Sequence, residues 1–358
     1  MVEDILTATK ERVMIIKKQT KARIGLIGNP SDAFYGKTIA FLFDNFSASC
    51  TLWESPVLEI IPNREDRLKF EDIDDLVQDV RRKGYYGGVR LIKATIKKFR
   101  EYCLREGIKL PRKNFSIEYD TSIPRGVGLG GSSAIITSVL RCLMDFYQVQ
   151  IPPEIQPNLI LSIEKEELNI QAGLQDRVVQ VLGGIVYMDF SKEIMERQGY
   201  GKYEKLSVPL PDFFLAFRNE GEESSKFHSN LEFRYQRGER EVLKALRELA
   251  EITTQAKDAL MRRDYSTLGE LMDLNFELRR KLVGDEVIGE RNLEMIKIAR
   301  SLGSPAKFSG SGGGVVGLIR DNFEELKKAY RQKGYNIVKV QHRYGRMKSE
   351  EGRVKSEV

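Results

Sequence analysis

Cysteine and histidine are scarce in this chain of 358 residues, which has three of the first and two of the second. Cys50, Cys103 and Cys142 are odd in number and far apart, and the last two lie in apolar helical contexts, so buried thiols are expected and not a disulfide framework. His228 and His342 are too few for a zinc cluster, and neither reads as the base of a nucleophilic triad. Long hydrophobic runs are also missing. No stretch approaches the length that spans a bilayer, and Met1 to Thr20 lacks an apolar core ahead of a small-residue cleavage site, so a cytoplasmic protein with no membrane partner is expected. Nor does one charge dominate: 58 Lys and Arg stand against 52 Asp and Glu, a net +6. The surplus is spread thinly, much of it in Arg343 to Lys355, and no aromatic residues interleave with it, which argues against a nucleic-acid partner. There is no internal repeat. A composition of 41% hydrophobic and 31% charged residues at this length is that of a two-domain globular protein.

Glycine is plentiful and unevenly placed. Residues 124–134 read Pro-Arg-Gly-Val-Gly-Leu-Gly-Gly-Ser-Ser-Ala, and the apolar stretch Ile135 to Tyr147 follows at once with helical spacing. Gly126, Gly128, Gly130 and Gly131 free the backbone to turn N–H groups toward an anion, since no Cβ blocks a close approach or a positive φ. Ser132 and Ser133 then open a helix, where unsatisfied N–H groups and the macrodipole favour negative charge. A plain linker would seldom end in paired serines and so apolar a helix. The glycines also satisfy the dinucleotide pattern formally, but the ribose-binding acid it needs, about twenty residues on at a second strand's end, falls where Met144 to Tyr147 still read as helix. Gly36-Lys37-Thr38 resembles the end of a Walker A loop, yet Ser31 stands where that pattern needs glycine. The segment is read as a phosphate loop.

The surrounding pattern fits this reading. Ala22 to Ile27 and Ala40 to Leu52 read as strands, and Leu76 to Arg105 as one or two helices around the break Gly84 to Gly88. Asn114 to Thr121 alternates as a strand that delivers the chain into the loop. Helices are predicted over Asn158 to Asn169 and from Gln171 to Gly183, with strands at Ile185 to Phe190 and Phe213 to Phe217. Charged amphipathic helices are predicted over Glu232 to Arg263 and Thr267 to Lys281, and a further helix over Asn292 to Leu302. Ala306 to Gly314 forms a second glycine-rich turn that feeds a strand through Ile319. A helix, Phe323 to Lys333, and a strand, Tyr335 to Gln341, complete an α+β unit. A third segment, Arg23 to Gly28 followed by Asn29-Pro-Ser-Asp32, sets an amide and a carboxylate just past a buried strand.

These three segments, in order and position, resemble the three motifs of the GHMP kinase superfamily. Gly28-Asn-Pro-Ser-Asp32 is similar to the substrate-side motif, residues 124–134 to the Pro-x-x-x-Gly-Leu-Gly-Ser-Ser-Ala phosphate loop with one extra glycine at 131, and Ala306 to Gly314 to the C-terminal glycine motif. Gly84-Tyr-Tyr-Gly-Gly-Val-Arg-Leu91, Ala172-Gly-Leu-Gln-Asp-Arg-Val178, Met188-Asp-Phe-Ser-Lys192 and the Leu271 to Phe276 segment resemble, within that superfamily, the plant-type glucuronokinases. The resemblance implies an α+β protein of the GHMP kinase fold. Its N-terminal domain, residues 1–208, would hold the ATP and sugar sites, and a ferredoxin-like C-terminal domain, 209–345, would precede a charged tail, 346–358. It further implies transfer of the ATP γ-phosphate to the anomeric hydroxyl of D-glucuronate, by a monomer or homodimer. Another sugar 1-kinase acting on galacturonate or galactose, or a nonenzymatic nucleotide-binding module, is the alternative.

Phosphoryl transfer needs positioning, neutralisation of triphosphate charge and an acceptor hydroxyl held in line. By the superfamily's pattern Pro124, Gly126, Gly128, Leu129, Gly130, Gly131, Ser132, Ser133 and Ala134 bind ATP. Ser133 and Glu164 hold Mg²⁺, with Ser132 and Glu166 as the alternatives. The Gly-x-x-Asp match makes Asp176 the group that accepts or orients the anomeric proton, and Arg23 is expected to pair with it. Asn29, Asp32, Gly310, Ser311 and Gly312 are expected at the sugar, and Tyr86, with Tyr85, either walls it or packs. A sugar carboxylate calls for an arginine, among Arg90, Arg125, Arg177, Arg279 and Arg280, with Arg177 and Arg279 preferred.

Overall fold

Ile15–Ile27 (β1) and Lys37–Ser55 (β2) form an antiparallel ribbon in which Ile15 faces Trp53 and Ile27 faces Ile39. The computed structural model describes residues 14–63, 66, 87–218 and 225–344, the side chains of 225–230 excepted. Both strands run further than their apolar patterns predict, because their far ends alternate between exposed and buried positions and only the near ends are continuously apolar. β2 is long enough to serve three neighbours. β1 lies along one edge, while the other edge is divided between Asn114–Thr121 (β4), opposite Ala48 to Ser55, and Ile185–Asp189 (β5), opposite Lys37 to Phe41. Glu59–Ile61 (β3) beyond β4 and Lys202–Lys205 (β6) beyond β5 complete six strands. The helix Gly131–Tyr147 packs across β1 and β2, with an unbroken buried run from Ser133 to Leu140. The register of β1 shifts between Lys21 and Arg23 and again between Gly25 and Ile27. Such irregularities re-aim side chains, and here they send Arg23 inward beneath the glycine loop.

The second sheet contains Phe213–Phe217 (β7), Ala306–Phe308 (β8), Gly314–Leu318 (β9) and Asn336–Lys339 (β10), antiparallel throughout in the order β10-β7-β9-β8. With helices between β7 and β8 and the helix Phe323–Gln332 between β9 and β10, this is the split βαββαβ arrangement of a ferredoxin-like unit, as expected. The rings of Phe41 and Phe213, 5.5 Å apart, join the hydrophobic layers beneath the two sheets. The three cysteines are buried free thiols. Among the described residues no helix is long and apolar enough to cross a membrane.

Three helix expectations change. The stretch Glu232 to Arg263 is two helices, Ser225–Gln236 and Arg240–Arg262, because Gly238 takes φ +71° and its N–H closes onto the Tyr235 carbonyl. The helix around Glu164 is α-helical only over Gln156–Ser162 and widens to a π turn over Ile163–Glu167. The helix carrying Asp176 begins at Gln175, not at Gln171. Residues 67–86 and 345–358 lie outside the described residues, and with them Tyr85, Tyr86 and the tail.

Candidate active site

Loop 124–130 is shaped from within. The Gly128 carbonyl accepts from Arg23 Nη1 at 2.6 Å and Ser309 Oγ at 3.2 Å, the Leu129 carbonyl from Arg23 N–H at 3.2 Å, and the Gly130 carbonyl from Gln180 Nε2 at 2.9 Å. These three carbonyls are thus satisfied within the protein. Gly130 is left-handed at φ +72°, and a Cβ there would meet Gln180 Nε2 at 3.0 Å, so glycine is required on both counts. The helix that follows has no side-chain cap. Its first N–H groups, at Gly131, Ser132 and Ser133, lack intrahelical acceptors as in any helix and suit an anion. Pro124 opens this loop, while Ala134, fully buried, only closes the first turn onto Gly130.

The structure reverses the serine assignment. Ser132 and Ser133 are successive residues of one helix and point about 100° apart. Ser132 Oγ donates to Glu164 Oε1 at 2.6 Å, whereas Ser133 is fully buried and donates to the Gly130 carbonyl at 3.1 Å. Glu164 is completely buried, because the π turn rotates it inward while Glu166 stays outside on Lys98 at 2.6 Å. Ser132→Ala is therefore expected to lower kcat at least about tenfold, whereas Ser133→Ala should cost stability alone, about 0.5–1.5 kcal/mol for one internal hydrogen bond. Steady-state ADP release and urea unfolding of the two variants check the split.

Arg177, expected at the sugar carboxylate, is committed elsewhere. Its Nε donates to Glu164 Oε2 at 2.6 Å, Nη2 reaches the same oxygen, and Nη1 donates to the Gly173 carbonyl at 2.9 Å. Asp176, its neighbour in sequence, turns to the other side. There Arg23 grips it with both arms, Nε to Oδ1 at 2.5 Å and Nη2 to Oδ2 at 2.7 Å. Burial works against the Asp176 charge, but Arg23 and then Arg177 outweigh it and hold the carboxyl below its ordinary value. Asp32 differs. Burial pushes its carboxyl up, and the Asp176 charge adds to this against the Gln175 N–H bond to Oδ2 at 3.1 Å. Asp32 is half-buried and packs on Gly173, where a Cβ would lie 2.0 Å from Oδ2. Two adjacent carboxylates thus hold protons differently.

The C-terminal glycine turn packs backbone against backbone on the phosphate loop: a Cβ at Gly310 would lie 2.3 Å from the Gly128 carbonyl oxygen, and one at Gly128 would lie 2.9 Å from Ser311 N. Arg279, the other preferred carboxylate ligand, is buried beneath this turn and donates to the Gly310 and Ser311 carbonyls at 2.5 Å each. Arg280 pairs outside with Asp285. Asn29, expected at the sugar, has internal partners. Its Oδ1 accepts from Lys307 Nζ at 2.7 Å, and its Nδ2 lies 3.4 Å from the Gly310 carbonyl. Lys307 went unrecognised in the sequence. It is 1% exposed and also donates to the Gly25 and Phe308 carbonyls at 2.8 and 2.6 Å. Asn275 was missed too, although it interrupts the apolar face Leu271, Met272, Phe276, Leu278; it accepts from Gly28 N–H at 2.7 Å and donates to the Asn29 carbonyl at 3.2 Å. A polar residue on an apolar helix face was the available signal.

A glycine loop beside Ser132 on the buried Glu164 and an Arg-held aspartate, closed by a glycine turn from a ferredoxin-like unit, matches a known family. Residues 90–184 match the GHMP kinases N terminal domain and residues 256–336 the GHMP kinases C terminal domain. The chain belongs to the GHMP kinase family. It is 46% identical over 318 residues to probable glucuronokinase 2 of Arabidopsis thaliana and 44% identical over 316 residues to glucuronokinase 1 of that plant, covering 87% of each chain in both cases. Among solved structures it superposes on Lactococcus lactis galactokinase complexed with galactose with a TM-score of 0.71 at 18% identity, over 93% of this chain and 94% of that one, a likeness of fold.

Proposed function

We propose that this protein is a cytoplasmic glucuronokinase that transfers the γ-phosphate of ATP to the anomeric hydroxyl of D-glucuronate. The observation that carries the reading is the meeting of Ser132–Glu164 and Arg23–Asp176 at one glycine loop, in a chain whose relatives at 46% and 44% identity are glucuronokinases. In this reading the chain divides near residue 208. The uncapped helix start fits a triphosphate, and Ser132 with Glu164 fits a hard divalent cation. Mg²⁺, when bound, neutralises charge on the phosphates.

The remaining work falls to this chain's own side chains. Arg23 keeps Asp176 ionised and fixed, so that it accepts the proton of the anomeric hydroxyl as that oxygen bonds to the γ-phosphorus and the bond to the departing ADP oxygen breaks. A carboxylate held so firmly ionised is a weak base. Its contribution lies as much in aiming the hydroxyl in line as in taking the proton. Asp32, Gly310, Ser311 and Gly312 border the acceptor side. Arg177 and Arg279, preferred for the sugar carboxylate, hold Glu164 and the glycine turn, and Arg90 Nη2 donates to the Leu168 carbonyl at 3.1 Å.

The test is ADP release with D-glucuronate, D-galacturonate, D-glucose and D-galactose. Glucuronate is expected to give the highest kcat/KM, and an arginine-bound carboxylate should favour it over neutral sugars by about 10²-fold or more. If galactose or glucose is preferred, the sugar-acid reading is overturned and a neutral-sugar 1-kinase takes its place.

A further inference from the structure

Both oxygens of Glu164 are occupied. Oε1 accepts from Ser132 at 2.6 Å, and Oε2 accepts from two nitrogens of Arg177, Nε at 2.6 Å and Nη2. The pair is out of water, with the carboxylate side chain 0% and the guanidinium side chain 5% exposed. A lone carboxylate there would cost several kcal/mol, so Glu164 needs a cation whether or not nucleotide is present. Arg177 supplies one, and a guanidinium cannot relieve the strain by losing its proton. The wider centre is balanced too. Glu164 and Asp176 are matched by Arg177 and Arg23, and Arg177 Nη1 lies 3.5 Å from Asp176 Oδ2, so it touches both acids. Among the described residues no three His, Cys, Asp or Glu side chains converge to hold a metal ion. A free divalent ion would meet a carboxylate already neutralised and a positive charge in contact with it. A divalent ion carried on a triphosphate brings its own negative charge.

Taking the chain as the ATP-dependent kinase proposed above, we infer that Arg177 is a positioning residue that fills the cation place on Glu164 in the nucleotide-free enzyme, so that the centre accepts divalent metal only as a metal–nucleotide complex. The consecutive Asp176 and Arg177 at the start of one helix make this possible, since adjacent side chains diverge, one to Arg23 and one to Glu164.

The test is Mn²⁺ binding to the full chain, read from the free-Mn²⁺ spin signal, with and without ADP. Wild-type protein without nucleotide is expected to leave the signal unchanged, and with ADP to bind about one equivalent. Arg177→Met should raise the nucleotide-free affinity about tenfold or more, since it exposes a full carboxylate charge to the ion. Without nucleotide, the charge-balanced double variant Glu164→Gln/Arg177→Met should again leave the free-Mn²⁺ signal unchanged. If Arg177→Met fails to fold, the wild-type arm still decides: tight Mn²⁺ binding to nucleotide-free protein that Glu164→Gln abolishes overturns the inference and leaves the kinase reading intact. An Arg177→Met protein that folds and gains no affinity overturns it equally. Absence of Mn²⁺ binding even with ADP would overturn both.

Discussion

Replacing Asp176 with asparagine is expected to lower kcat by about 10²–10⁴-fold, the range for loss of a positioned proton acceptor. Nucleotide affinity should stay within about threefold, because Ser132, Glu164 and the loop carbonyls are held by other partners. Asparagine is preferred to alanine here. Arg23 also pins the Gly128 and Ser309 carbonyls at 2.6 and 2.8 Å, and asparagine, though it removes the countercharge as alanine does, keeps one acceptor oxygen for this buried guanidinium. Steady-state ADP release with a parallel nucleotide titration makes the measurement, and a kcat within tenfold of wild type would remove Asp176 from the mechanism. The pH dependence follows from the same contacts. Arg23 and Arg177 keep the Asp176 carboxyl below its ordinary value against burial, so the acid limb of kcat/KM due to this group should lie below pH 3.8. Arg23→Gln removes the larger opposing charge. Burial is then less strongly opposed, and the limb should move upward in pH.

Lys307→Ala is expected to be the most damaging change outside the reacting groups. Three buried acceptors, Asn29 Oδ1 and the Gly25 and Phe308 carbonyls, lose their shared donor. Each orphaned group costs about 1–3 kcal/mol, so a total of about 3–5 kcal/mol is expected after relaxation, visible as a large fall in the urea midpoint. Function should suffer in the fraction that folds. The lysine ties the Asn29 segment to β8, and the glycine turn that follows β8 lies against the phosphate loop, so KM should rise for sugar and ATP together. Burial, with the charges of Arg279 and Arg23, pushes the ammonium well below 10.5. The folded state thus releases this proton before the unfolded state does, and between the two values the unfolded chain holds more protons. Stability contributed by Lys307 therefore rises with pH across that window up to 10.5, and Lys307→Met should flatten the rise relative to wild type. An unchanged slope, or a loss under 1 kcal/mol, would mean that the buried lysine carries none of this load.

The phosphate loop was legible because its chemistry is local: glycines, paired serines and an apolar helix follow one another within a single stretch of chain. Asn114–Thr121 was legible for the same reason, since its alternation is written in consecutive residues. The Arg23–Asp176 pair was reached only through the family resemblance, as 153 positions separate its members. The two serines could not be told apart in the sequence, because a rotation of about 100° along the helix sets which of them reaches Glu164. The arginine assignments failed because a guanidinium near a motif reads the same whether it faces a ligand or a buried carboxylate. Gly238 was read through as helix because the amphipathic pattern continues on both sides of it.

Sequence alone determined the elements whose signal fits within one turn or one strand, and hence the glycine loop and its helix. Tertiary structure alone decided which side chains spend their charge internally. Glu164 pairs with Arg177, Asn29 with Lys307 and Arg279 with the glycine turn, while Asp176 is held by Arg23 and Asp32 remains half-buried. The reason is desolvation. A buried charge must find a partner wherever the fold brings one within reach, and that reach is set by packing between segments far apart in the chain.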